Sequence, residues 1–168
     1  MNFLKLLLFA ICCFFVTSIE IEGKSSVLLS NFIKYCEIDT QSDPTSNTVP
    51  STEKQKNLAR LLVSQLLQYG LKDAHMDKNG YVMATLPSNT NKNVPTIGFI
   101  SHVDTSPAVS GKNVKPILHR NYQLGKDLVH PETGKVILKF SETPNLKNVV
   151  GHDLITADGI TLLGADDK

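Results

Sequence analysis

The chain has 168 residues, with 17 basic and 16 acidic side chains and a formal net charge of +1. That length gives room for about one domain, and an apolar share of 41% with 20% charged residues is ordinary for a soluble globular chain. The even charge balance, with scattered lysines and no basic stripe interleaved with aromatics, speaks against nucleic acid or another polyanion as a partner.

The N-terminus reads MNFLKLLLFAICCFFVTSIEIEG, with Lys5 followed by an unbroken apolar run from Leu6 to Val16. Such a run is short for a bilayer span but fits the core of a secretory signal, with Val16, Thr17 and Ser18 offering a cleavage site. Residues 1–20 are therefore read as a signal-like segment, with Met1 to about Ser18 expected to direct export and be removed, giving a secreted or periplasmic protein with no stable membrane association afterwards. The alternative is an uncleaved anchor extended by Phe3, Leu4 and Ile19. Residues 21–168 are left to fold. Cys12 and Cys13 leave with the signal-like segment, and Cys36 alone cannot form an internal disulfide.

Leu29, Phe32, Ile33 and Cys36 fall on one helical face, with Ser25 or Ser26 as the N-cap. TQSDPTSNTVPST is a loop. A second helix is predicted to open at Thr52 with a capping box to Gln55, to run along Leu58, Leu61, Leu62 and Leu66, and to end at Gly70. Asn79-Gly80 predicts a hairpin. Thr96 to Ser101 is a continuous apolar run of the kind that forms a strand buried in a central sheet. From Pro107 to Leu146 the patterning weakens and no element is placed, and Leu154 to Asp167 reads as a hairpin turning at Asp158-Gly159. Helices followed by strands point to an α/β layer structure.

His102 and Asp104 follow the apolar run and are two residues apart, so extended backbone points both side chains to one side. An imidazole can bind a metal through one nitrogen while a carboxylate orients it through the other; the plain alternative is a pair of surface polar residues. Asp166 and Asp167 follow the apolar ITLLGA, where paired carboxylates invite a divalent cation; the alternative is a solvated turn. There is no G-x-S-x-G elbow, P-loop, G-x-G-x-x-G or C-x-x-C. No base is positioned against Ser106 or Ser110, and His75, His119, His130 and His152 read as surface or structural residues.

DTQS, VPSTEKQKNLARLL, MATLP, IGFISHVDTSP, SGKNVKP and LITADGITLLGADDK, in that order from about Val27 to Lys168, resemble the tripeptide aminopeptidase branch of the M20 zinc peptidases. The resemblance implies the N-terminal portion of an α/β catalytic domain, a central mixed sheet flanked by helices, incomplete in this chain. In the family a lid domain and the rest of the catalytic domain follow, with the glutamate pair, the remaining ligands and a second histidine. Two zinc ions are implied as cofactors. His102 would bind one zinc, Asp104 would orient it as the catalytic aspartate, Asp166 would bridge both metals, and the Asp166–Asp167 peptide bond would be cis. The implied activity is release of the N-terminal residue of short peptides. Related carboxypeptidases or deacylases, or a non-catalytic remnant, are the alternatives. Family members are intracellular as a rule, which makes cytoplasmic the alternative location.

Overall fold

The computed structural model describes residues 27–161. The signal-like segment 1–20, Ser25 and Ser26, and Asp166 and Asp167 with the bond between them lie outside the described residues. Helix α1 covers residues 27–36, as the apolar spacing predicts, with Leu29, Ile33 and Cys36 half-buried and Phe32 exposed. A separate compact unit begins at Cys36.

Within that unit, helix α2 spans Gln55–Gln68 and buries Leu58 and Ala59. It ends as the sequence predicts. Gly70, at φ +89°, occupies the left-handed position, and the Gly70 and Leu71 amides donate back to the carbonyls of Leu67 and Leu66. Its start is three residues later than predicted. No side chain caps the first turn at Lys54, and the Thr52 hydroxyl donates instead to the Gln41 carbonyl at 2.8 Å. The capping box is lost to this longer-range bond, and Gln55 Nε2 donates to the hydroxyls of Ser51 and Thr52.

Strands β1 (His75–Met76) and β2 (Val82–Met83) form the hairpin expected at Asn79-Gly80, with Met76 paired to Val82, and α2 packs on it. Asp77 organises the turn: its carboxylate accepts the amides of Asn79 and Tyr81, and Gly80 has φ +88°.

The stretch in which the sequence shows no clear pattern contains most of the remaining structure. Strand β3 (Ile117–His119) pairs antiparallel with β6 (Leu154–Thr156), and β4 (Leu128–Val129) pairs with β5 (Val136–Leu138). A 3₁₀ helix, Pro144–Val149, precedes β6. Tyr122, Leu128 and Leu146 form a buried cluster, packed against Phe140, Val149 and Leu154. Asp153 closes this region by accepting Arg120 Nη1 at 2.6 Å and the Asn121 amide at 2.9 Å.

Three expectations are corrected. The central mixed sheet is not found among the described residues, which carry three separate two-stranded antiparallel ladders, so the fold is mixed α and β without a shared sheet. Thr96 to Ser101 is not a buried strand: it has no ladder partner among the described residues, and Phe99 and Ile100 are 96% and 101% exposed. A strand exists through hydrogen bonds to a neighbour, and apolar composition alone supplies none. The hairpin at Asp158-Gly159 is corrected in its described arm, because Leu154–Thr156 pairs with the distant β3. Asp158 does form a turn there, its carboxylate accepting the amides of Ile160 and Thr161.

These burial differences predict opposite outcomes for two truncations. Leu146→Ala, at a site 6% exposed, should cost about 2–5 kcal/mol of stability. Ile100→Ala should change stability by no more than about 0.5 kcal/mol, as expected of a surface site. Urea unfolding of the two variants checks both.

Candidate active site

His102 and Asp104 follow the apolar run, and their side chains come together as the two-residue spacing predicts. His102 Nδ1 lies 3.1 Å from Asp104 Oδ1 and 3.0 Å from the Asp104 carbonyl oxygen. A carbonyl oxygen can only accept, so Nδ1 carries the proton and donates. That tautomer leaves the Nε2 lone pair for a ligand, the arrangement in which a carboxylate orients a metal-binding imidazole. The His102 side chain is 46% exposed and that of Asp104 is 23% exposed, which keeps the imidazole accessible while its partner is held.

This donor set fits one ligand of a zinc site and its orienting carboxylate. Among the described residues, no group of three or more His, Cys, Asp and Glu side chains comes together, so the pair does not complete a four-coordinate shell there. Asp166 lies outside the described residues.

The pair is held by a second segment. Gln41 and Thr105 form a parallel bridge: the Thr105 amide donates to the Thr40 carbonyl, and the Ser42 amide and hydroxyl both donate to the Thr105 carbonyl at 3.0 Å. Thr40 and Ser106 are almost fully buried. The Ser106 hydroxyl accepts the Ala108 amide, a structural role with no base against it. Gly111 passes directly over Thr105, and a Cβ there would lie 2.9 Å from Thr105 Oγ1. This oxygen is itself buried and without a hydrogen-bond partner among the described residues. Sequence reading missed this group; DTQS stood only as part of a resemblance, and the one local signal was a run of polar residues beside a half-buried helix.

The remaining histidines behave as read. His119 Nε2 meets the Thr156 hydroxyl at 2.9 Å across the β3–β6 ladder, and burial lowers its pKa. His75 Nδ1 contacts the Asp73 carbonyl, and His130 Nδ1 accepts the Glu132 amide.

No protein-family model matches the sequence. The chain is 54% identical over 141 residues to peptidase T of Geobacillus thermodenitrificans, covering 84% of this chain and 34% of that protein. It is 55% identical over 143 residues to peptidase T of Alkaliphilus oremlandii, covering 84% of this chain and 35% of the relative. Against peptidase T of Aliivibrio fischeri it is 53% identical over 141 residues, again covering 84% of this chain. The chain is thus similar to part of peptidase T over 84% of its own length. It spans about a third, 34% to 35%, of the length of these curated relatives.

The bridge segment is anchored by charge as well as by backbone bonds. Asp39 accepts the Gln41 amide at 3.1 Å and pairs with Lys54 Nζ at 2.9 Å. Partial burial alone would raise the Asp39 carboxyl, but the Lys54 and Gln41 hydrogen bonds and the charges of Lys54 and Lys112 outweigh it, and its pKa is lowered. A carboxylate with a depressed folded pKa contributes stability that is complete above its unfolded value, about 3.9, and is lost as pH falls through the lower folded value. Asp39→Asn should therefore destabilise the protein at neutral pH and flatten the loss of stability below about pH 4. Denaturant unfolding of both forms across that acid range checks it.

Proposed function

We propose that the complete protein is a zinc-dependent aminopeptidase that removes the N-terminal residue of short peptides, tripeptides included. The observation that carries the reading is identity above 50% to peptidase T from several bacteria over 84% of the chain. The His102–Asp104 pair supports it, because its tautomer suits a zinc ligand. His102 and Asp166 would hold metal, with Asp166 bridging two zinc ions and Asp104 fixing the imidazole. When bound, zinc supplies Lewis acidity toward a peptide carbonyl and lowers the pKa of water. His102 contributes one neutral ligand, and the Asp104 carboxylate keeps its Nδ1 proton in place. The family's general base is taken to belong to sequence outside these 168 residues. The reading adds membership of the M20 zinc peptidases and export directed by residues 1–20. Among the described residues no helix is long and apolar enough to cross a membrane.

The test uses the complete, zinc-loaded protein against tripeptides with free or blocked amino termini. Hydrolysis confined to free termini is expected; cleavage of the blocked set instead would point to a carboxypeptidase or deacylase. His102→Ala should abolish zinc retention at one site and Asp166→Ala should weaken it at both, and Asp104→Asn should weaken zinc binding about 10–100-fold. Zinc affinities unchanged in all three variants would overturn the assignment of the ligands. The 168-residue chain alone should show no turnover, since it carries only two of the proposed ligands. N-terminal sequencing of the mature protein should begin near residue 19, and retention of Met1 on an intracellular protein would refute export.

A further inference from the structure

One side chain on the bridge segment does more than pair backbone. Gln41 Nε2 points into the turn that follows Thr105 and lies 2.9 Å from the Val109 carbonyl, 3.2 Å from that of Pro107 and 3.4 Å from that of Ser106. Three carbonyl acceptors around one end of the amide fix its orientation, since Oε1 in that place would face three like partners. Two amide protons serve the three oxygens, with Val109 the closest. The loop is otherwise exposed from Pro107 to Ser110 and has few bonds of its own, chiefly Ala108 N–H to Ser106 Oγ. Gln41 is held from behind: its amide donates to Asp39, its carbonyl accepts Thr52 Oγ1 at 2.8 Å, and Asp39 is paired with Lys54. Gly111 ends the loop at a contact so close to Thr105 that a larger residue would have to displace one of them.

The geometry points to Gln41 as a positioning residue of the candidate site: it clamps the Ser106–Ser110 loop into one shape beside His102 and Asp104, so that the exposed Pro107–Ser110 edge forms a fixed wall of the peptide-binding cleft. This assignment rests on the peptidase reading for the identity of the ligand, while the clamp itself rests on the three carbonyl contacts. The clamp acts on the loop and not on the imidazole, whose Nδ1 is satisfied by Asp104. Loss of the clamp should therefore weaken substrate binding and leave zinc in place.

The discriminating variant is Gln41→Glu, which keeps size and shape but replaces the donor with an acceptor facing three carbonyls; Gln41→Ala removes the group outright. In the complete protein, Gln41→Glu should raise KM for a tripeptide about tenfold or more, the scale of one lost hydrogen bond with unsatisfied partners. Its kcat and zinc content should stay close to those of the unaltered protein. Amide hydrogen exchange provides a readout independent of activity: residues 106–111 should exchange at least about tenfold faster, while the β3–β6 ladder stays unchanged. Unaltered exchange at 106–111 in Gln41→Glu overturns the clamp. Faster exchange with unchanged KM overturns the loop's role as a cleft wall. An unaltered complete protein with no activity on any peptide overturns the underlying peptidase reading and the cleft wall with it, while the exchange comparison still decides the clamp.

Discussion

Backbone hydrogen bonds must be made somewhere, and around His102 they are made to a segment 63 residues earlier in the chain, where Ser42 meets Thr105. Closing so long a loop costs entropy, although the cost grows only slowly with length. It is met by several bonds acting together: two backbone bonds at Thr105, the Ser42 hydroxyl, the Gln41 amide and the Asp39–Lys54 pair. Thr40 and Ser106 are buried because these bonds satisfy the polar backbone around them. The position of Asp104, and through it the tautomer of His102, depends on the neighbouring residue being held there.

The same requirement accounts for the exposed run before the site. Ile97, Phe99 and Ile100 are apolar, and all three are exposed. Residues of this type favour strands because they pack well on a pleated surface, and that preference has an effect only where another strand supplies the surface. The ladders that do form are two or three pairs long, at a size that is marginal in isolation. They persist where side chains cover them: α2 lies on the β1–β2 hairpin, and Leu128 and Leu154 bring β4 and β6 into the Tyr122 cluster.

Orientation and ligation are separate tasks in the candidate site. The histidine–aspartate pair joins two residues two apart in the chain, and the hold on neighbouring Thr105 keeps it in place. Holding a metal needs donors from elsewhere, and the stretch of this chain that matches peptidase T covers 34% of one such relative. The loop bonded by Gln41 is a third contribution, and it comes from a segment in which no metal ligand is proposed.

The sequence by itself determined the features whose causes are near neighbours in the chain. The Leu58–Leu66 spacing and Gly70 set the body and end of α2. Asn79-Gly80 set a hairpin, and the two-residue separation of His102 and Asp104 put their side chains on one side. Only the tertiary structure decided that Thr52 would bond Gln41 in place of capping its own helix, and that Leu154–Thr156 would pair with Ile117–His119. It alone also showed that the amide of Gln41 would gather three carbonyls more than 60 residues away, and that Thr96 to Ser101 would find no partner among the described residues. Periodicity, capping and turn residues act over a few positions, so they can be read in order along the chain. A ladder or a buried amide depends on which distant segment arrives beside it, and no local pattern carries that information.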